Sequence, residues 1–125
     1  MSATCGIIED EPLGRELLIR YIARIPSLEL KWVKESVQDL PPDEEMLDNL
    51  VDLIFLDLMN DDSGQQDYNF TALEKYGHII LTTAYPEEFV KTLPVRYLAL
   101  LNKPVLFDRF KDTVTIALRQ LAAIR

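Results

Sequence analysis

Four consecutive apolar residues that run straight into a carboxylate, Leu53-Ile54-Phe55-Leu56-Asp57, constrain this chain more than any other stretch. A run of that length suits a strand buried on both faces, as in a parallel sheet. The segment from Leu58 to Gly64, Leu-Met-Asn-Asp-Asp-Ser-Gly, is turn and loop chemistry. Asp57 therefore falls where a buried strand ends and a loop opens. In open α/β sheets that carboxyl edge is where ligands bind.

Three further apolar runs end in the same way. Cys5-Gly6-Ile7-Ile8 leads into Glu9-Asp10-Glu11, Ile79-Ile80-Leu81 into Thr82-Thr83, and Tyr97 to Leu101 into Asn102-Lys103-Pro104. Enough residues separate successive runs for a crossover helix. Parallel strands place their ends on one edge, so carboxylates, a hydroxyl and an ammonium are expected to converge on Asp57.

The remaining pattern fits that scheme. Pro12 suits the first turn of a helix, and Leu13, Leu17, Leu18, Tyr21, Ile22 and Ile25 recur at helical spacing up to Pro26. Arg15, Arg20 and Arg24 fall largely on the other face. Leu28, Leu30 and Trp32 alternate with Glu29, Lys31 and Val33, which predicts a half-exposed edge strand with Trp32 as a packing residue. A second helix is expected from Pro41-Pro42, with Asp43, Glu44 and Glu45 in its first turn and Met46, Leu47 and Leu50 on its apolar face. A short third helix is expected from Asn69, with Phe70 and Leu73, stopping at Gly77. His78 reads as a loop residue. A fourth helix is expected between Pro86 and Pro94, with Phe89, Val90 and Leu93 inward. The last runs from Phe107, with Phe110, Val114, Ala117, Leu118 and Leu121 as its buried stripe. Five strands alternating with five helices give an α/β fold with a parallel sheet.

A chain of 125 residues suits one domain with a real core. Its net charge of −8 argues against nucleic-acid binding by itself, which needs clustered Lys and Arg. Cys5 is the single cysteine and lies inside an apolar run, so it reads as a core residue of a protein kept in a reducing cytoplasm. The Met-Ser-Ala-Thr start has no basic region and no long apolar segment, so neither a signal peptide nor a membrane span is expected.

Glu9, Asp10 and Asp57 brought together would repel one another unless a cation intervened. A hard divalent ion with oxygen ligands meets that need, and Mg²⁺ is the usual one in phosphate chemistry. With the Lys103 ammonium and the Thr83 hydroxyl, the set describes phosphoryl transfer onto an aspartate. Asp57 would attack phosphorus, Asp10 and Asp57 would hold Mg²⁺ with help from Glu9, and Lys103 and Thr83 would bind phosphoryl oxygens.

These residues resemble the receiver domains of two-component response regulators. The likeness rests on Ile8-Glu9-Asp10-Glu11, on Phe55-Leu56-Asp57, on Thr83-Ala84 and on Lys103-Pro104, in the right order along essentially the whole chain. Glu9-Asp10-Glu11-Pro12-Leu13 and Leu81-Thr82-Thr83-Ala84-Tyr85 are most similar to receivers attached to LytTR-type DNA-binding domains. The resemblance implies a flavodoxin-like (βα)5 fold with a parallel five-stranded sheet of order 2-1-3-4-5. It implies phosphorylation of Asp57 by a histidine kinase, slow self-dephosphorylation, a cis Lys103-Pro104 peptide, and the backbone carbonyl of Met59 in the metal site. It also implies control of an output domain or effector protein, and a homodimer through the face built by the fourth helix, fifth strand and fifth helix. Residues 1–125 then form a single receiver domain with no output domain in this chain.

The chain departs from the receiver pattern in two places. No proline follows Leu58-Met59, and the loop to Gly64 is one residue short of the usual spacing. Leu100 stands three before the lysine, where receivers tend to carry an aromatic switch residue, and Tyr97 lies three further back. Three alternatives bear on this. One is a pseudo-receiver that folds alike but acts as a phosphorylation-independent interaction module. An Asp-nucleophile phosphohydrolase typically has a second Asp two residues after the nucleophile, where this chain has Met59. A nucleotide or flavin module would need a glycine-rich phosphate loop after the first strand.

Overall fold

The computed structural model describes residues 2–40, 43–57 and 73–124. Five strands, β1 (Ala3–Ile8), β2 (Leu28–Lys34), β3 (Leu53–Asp57), β4 (His78–Thr83) and β5 (Ala99–Asn102), form one sheet of order β2-β1-β3-β4-β5. Every neighbouring pair is parallel. This is the flavodoxin-like order expected from the sequence. The strand composition explains it: β3 is buried at all five positions, whereas β2 and β5 mix buried with exposed residues and take the two edges.

Three α-helices are described, α1 (Pro12–Ala23), α2 (Glu87–Val90) and α3 (Phe107–Ile124). Side chains alternate across the sheet, so each strand feeds two cores. Cys5, Ile7, Leu53, Phe55, Ile80 and Leu101 pack against Leu18 and Ile22 of α1 and Phe110, Val114, Ala117 and Leu121 of α3. Ile8, Ile54, Leu56, Ile79 and Leu81 pack on the opposite face with Trp32, Leu73, Tyr76 and Val90. Each fully buried Ile, Leu or Phe contributes about 1.5–3 kcal/mol relative to exposure. Cys5 lies in the first core with no exposed surface, and burial pushes its thiol up to about 12.

Two helices differ from expectation. The segment after Pro41-Pro42 is a 3-10 turn, Asp43–Asn49, rather than an α-helix. Its apolar side is thin, since Leu47 stays exposed, and its end is fixed by contacts across the chain. Trp32 Nε1 donates to Asn49 O at 2.9 Å and Lys31 Nζ to Leu50 O at 3.1 Å. The helix expected between Pro86 and Pro94 is one turn long. Past it, Thr92 Oγ1 donates to Phe89 O at 2.6 Å, and the backbone continues in tighter bonds to Leu93. The start of the helix expected at Asn69 and Phe70 lies outside the described residues; Leu73 and Glu74 are helical and Leu73 is buried. His78 is the exposed first residue of β4, not part of a loop. β5 begins at Ala99, two residues later than expected.

The β1–β2 pairing shifts register between Cys5 and Gly6. Gly6 explains how the edge packs there. A Cβ on it would lie 2.5 Å from the Cη2 of Trp32, so the indole ring occupies the space that glycine leaves. The register then positions the carboxyl edge. Ile8 pairs with Leu56, which sets Glu9 beside Asp57; Asp57 pairs with Thr82, and Thr83 with Asn102.

Candidate functional site

Each strand end delivers a polar group to one place. Lys103, one residue beyond β5, is drawn in by its own backbone, whose N–H donates to Thr83 O at 2.8 Å. Its Nζ lies 2.9 Å from Asp57 Oδ1 and 3.0 Å from Glu9 Oε1, so one ammonium bridges two carboxylates. Glu9 is 1% exposed and Asp57 5%, whereas the Lys103 side chain keeps 28%. The peptide between Lys103 and Pro104 is cis, as the resemblance implies.

The charges do not balance. Burial, and then the neighbouring Asp57, push the Glu9 carboxyl up to about 8 against the pull of Lys103. Burial pulls the Lys103 ammonium down, but the bonds and charges of Asp57 and Glu9 outweigh it and hold it above its ordinary value. Among the described residues, Glu9 Oε2 is buried and has no hydrogen-bond partner. Glu9, exposed Asp10 and Asp57 each offer a carboxylate oxygen, all within 4.8 Å of one another. A hard oxygen-seeking cation fits this donor set, because it would supply both the missing charge and the missing partner for Oε2.

Arg15 steadies the approach to this site. Its Nη1 donates to Glu9 O at 3.2 Å and Asp10 O at 3.1 Å and lies 3.5 Å from Glu35 Oε1, tying the β1–α1 turn to the end of β2. The sequence marks Arg15 only as a polar-face residue. Its position one turn after the acidic residues is the signal that would have found it.

Glu9, Asp10, Asp57 and Lys103 are thus brought together as expected. Thr83 reaches the same edge and is fully buried, but its hydroxyl accepts the Tyr85 N–H at 2.9 Å. Thr82, not Thr83, stands directly opposite Asp57, its Oγ1 3.5 Å from Leu56 O. Met59 lies outside the described residues.

The sheet order and this acidic edge define the class: the chain has the fold of a response-regulator receiver domain. It is similar to the signal receiver domain of a modulated diguanylate cyclase from Desulfovibrio desulfuricans G20, with a TM-score of 0.77, 20% identity and full coverage of both chains. It is similar also to the response regulatory domain of protein mrkE from Klebsiella pneumoniae, with a TM-score of 0.73 and 22% identity over 96% of this chain and 98% of that one. In sequence it is related to the sensory transduction protein LytT of Enterococcus faecalis, at 29% identity over 117 residues. That alignment takes in 92% of this chain and 48% of the relative, so the chain spans about half of the relative's length. No protein-family model matches the chain. Among the described residues no helix is long and apolar enough to cross a membrane.

Proposed function

We propose that this chain is the phosphoryl-accepting receiver of a two-component pathway. The observation that carries the reading is the Lys103 ammonium held between Glu9 and Asp57 at the carboxyl edge of a parallel sheet. A phosphohistidine of a histidine kinase is the donor class. An Asp57 carboxylate oxygen attacks phosphorus, the bond from phosphorus to the histidine nitrogen breaks, and the electron pair leaves with the nitrogen. Asp57 and Asp10, with Glu9 and the Met59 carbonyl, would hold Mg²⁺. When bound, that ion supplies charge neutralisation at the phosphoryl oxygens.

Lys103 exchanges its partner in this scheme. Its ammonium, now on Asp57 Oδ1, turns to a phosphoryl oxygen, and Thr83 gives up the Tyr85 N–H to bind another. That exchange couples the site to the loop after β4 and to α2, β5 and α3. A groove between β5 and α3, where Leu100, Arg109, Asp112 and Ile116 meet, supports a homodimer through this face. LytT, twice as long as the matched segment and called a sensory transduction protein, supports control of an output domain or effector.

The test is intact mass after incubation with Mg²⁺ and acetyl phosphate, beside Asp57→Asn. A phosphoryl adduct on the parent alone, dependent on Mg²⁺, is the expected result. No adduct on a folded parent would leave the chain a phosphorylation-independent interaction module.

A further inference from the structure

Gly14 is a poor choice for the first turn of α1, because glycine is among the weakest helix formers. Its neighbour supplies the reason. A Cβ on Gly14 would clash with the Glu9 carboxyl group. It would overlap Oε1, and it would stand 2.9 Å from Cδ and 3.2 Å from Cγ. Oε1 is the atom that Lys103 Nζ holds at 3.0 Å. The missing side chain therefore leaves room for the contact that defines the site. Glu9 is 1% exposed, and any displaced carboxylate would enter a pocket of 120 Å³ lined by Gly14, Leu17, Leu18 and Thr82, away from its present contact.

We propose that Gly14 is a positioning residue for Glu9, and that the two form a size-matched pair. A glutamate is one methylene longer than an aspartate, and the slot over Gly14 takes up that length. With alanine at 14 the longer carboxylate is displaced from Lys103 and from the cation site. An aspartate at 9 would place its carboxyl carbon where Glu9 Cγ now lies and its oxygens no further than about the Cδ position, 2.9 Å from the new methyl, so relief needs a shift of only tenths of an ångström. This inference rests on the receiver reading for its consequence, but not for its geometry.

The experiment compares four proteins: the parent, Gly14→Ala, Glu9→Asp and the double variant. Mg²⁺ alone is titrated calorimetrically into each, and each is melted without divalent cation. Gly14→Ala is expected to bind Mg²⁺ about tenfold more weakly and to melt lower, although alanine favours the helix. The double variant is expected to recover to within about threefold of Glu9→Asp, with non-additive melting shifts. Parent-like Mg²⁺ binding by Gly14→Ala, or a double variant as impaired as Gly14→Ala, overturns the pairing. If the parent neither binds Mg²⁺ nor takes up phosphate, the receiver reading fails. The melts then decide the pairing alone: non-additive shifts support it and additive shifts overturn it.

Discussion

Lys103 Nζ and Asp57 Oδ1 stand 2.9 Å apart across the carboxyl edge, and the same ammonium serves the more deeply buried Glu9. A single side chain thus offsets two carboxylates. Replacing it by Met removes the charge and keeps the stem. Buried Asp57 then loses its counter-charge beside Glu9, and stability without divalent cation should fall by about 3 kcal/mol, at the low end of the usual range because Lys103 is partly exposed. The ammonium also competes with any cation at this site. Lys103→Met should therefore bind Mg²⁺ more tightly than the parent while losing most phosphoryl uptake from acetyl phosphate. Calorimetry and intact mass read the two effects separately, and weaker Mg²⁺ binding would contradict the competition.

The titration of Glu9 predicts a pH dependence. In the unfolded chain this carboxyl loses its proton near 4.5; in the folded chain it holds it up to about 8. The folded state binds more protons through that window. Its contribution is complete below 4.5 and is lost as pH rises toward 8, at a slope no steeper than about 1.4 kcal/mol per pH unit. Lys103 acts at higher pH: its raised value adds stability that is complete below 10.5 and lost above it. Urea unfolding at pH 5 and pH 8 should show the Glu9 loss without divalent cation. Mg²⁺ should reduce it, since the ion favours the carboxylate. A steeper loss in Mg²⁺ would count against the site.

Thr83 fixes the loop that leaves β4. Thr83→Ala removes the acceptor of the Tyr85 N–H and should cost about 1 kcal/mol. Asn102 Nδ2 still donates to Tyr85 O at 3.2 Å, so the loop should stay attached to β5. Amide exchange across 85–90 should be faster in this variant before phosphorylation and change little after it. A parent-like response to phosphorylation would show that Thr83 is not the coupling group.

Gly6→Ala tests the packing under the sheet edge. The added methyl takes the place of the Trp32 ring, which must swing out and give up its bond to Asn49 O. A loss of about 2–3 kcal/mol is expected, with red-shifted fluorescence from the single tryptophan. Parent-like emission and stability would mean that the ring has another seat.

The central strands and the acidic edge were legible because buried parallel strands announce themselves: an apolar run has one way to stop, and here each stops on a polar group. Asp57, Glu9 and Lys103 could be placed from that rule alone. The short elements could not. Helical spacing after Pro86 predicts a full helix, yet Pro94 and the Thr92 hydroxyl allow one turn. Gly14 and Arg15 were harder to read for a different reason. Arg15 is ordinary on its own helix and Gly14 is a weak helix former there, and each gains its meaning from the Glu9 carboxyl group or the Glu9 and Asp10 carbonyls, whose positions belong to the fold.

Glu9 and Lys103 meet across 94 residues of chain, and Lys103 arrives on an edge strand bound to β4 alone. β1, β3, β4 and β5 must therefore be in place before Glu9 and Asp57 share their ammonium. A chain arrested during synthesis before residue 103 exposes the acid pair without its counter-charge. The Glu9–Lys103–Asp57 contact is in this sense a mark of a sheet completed as far as its last strand in sequence.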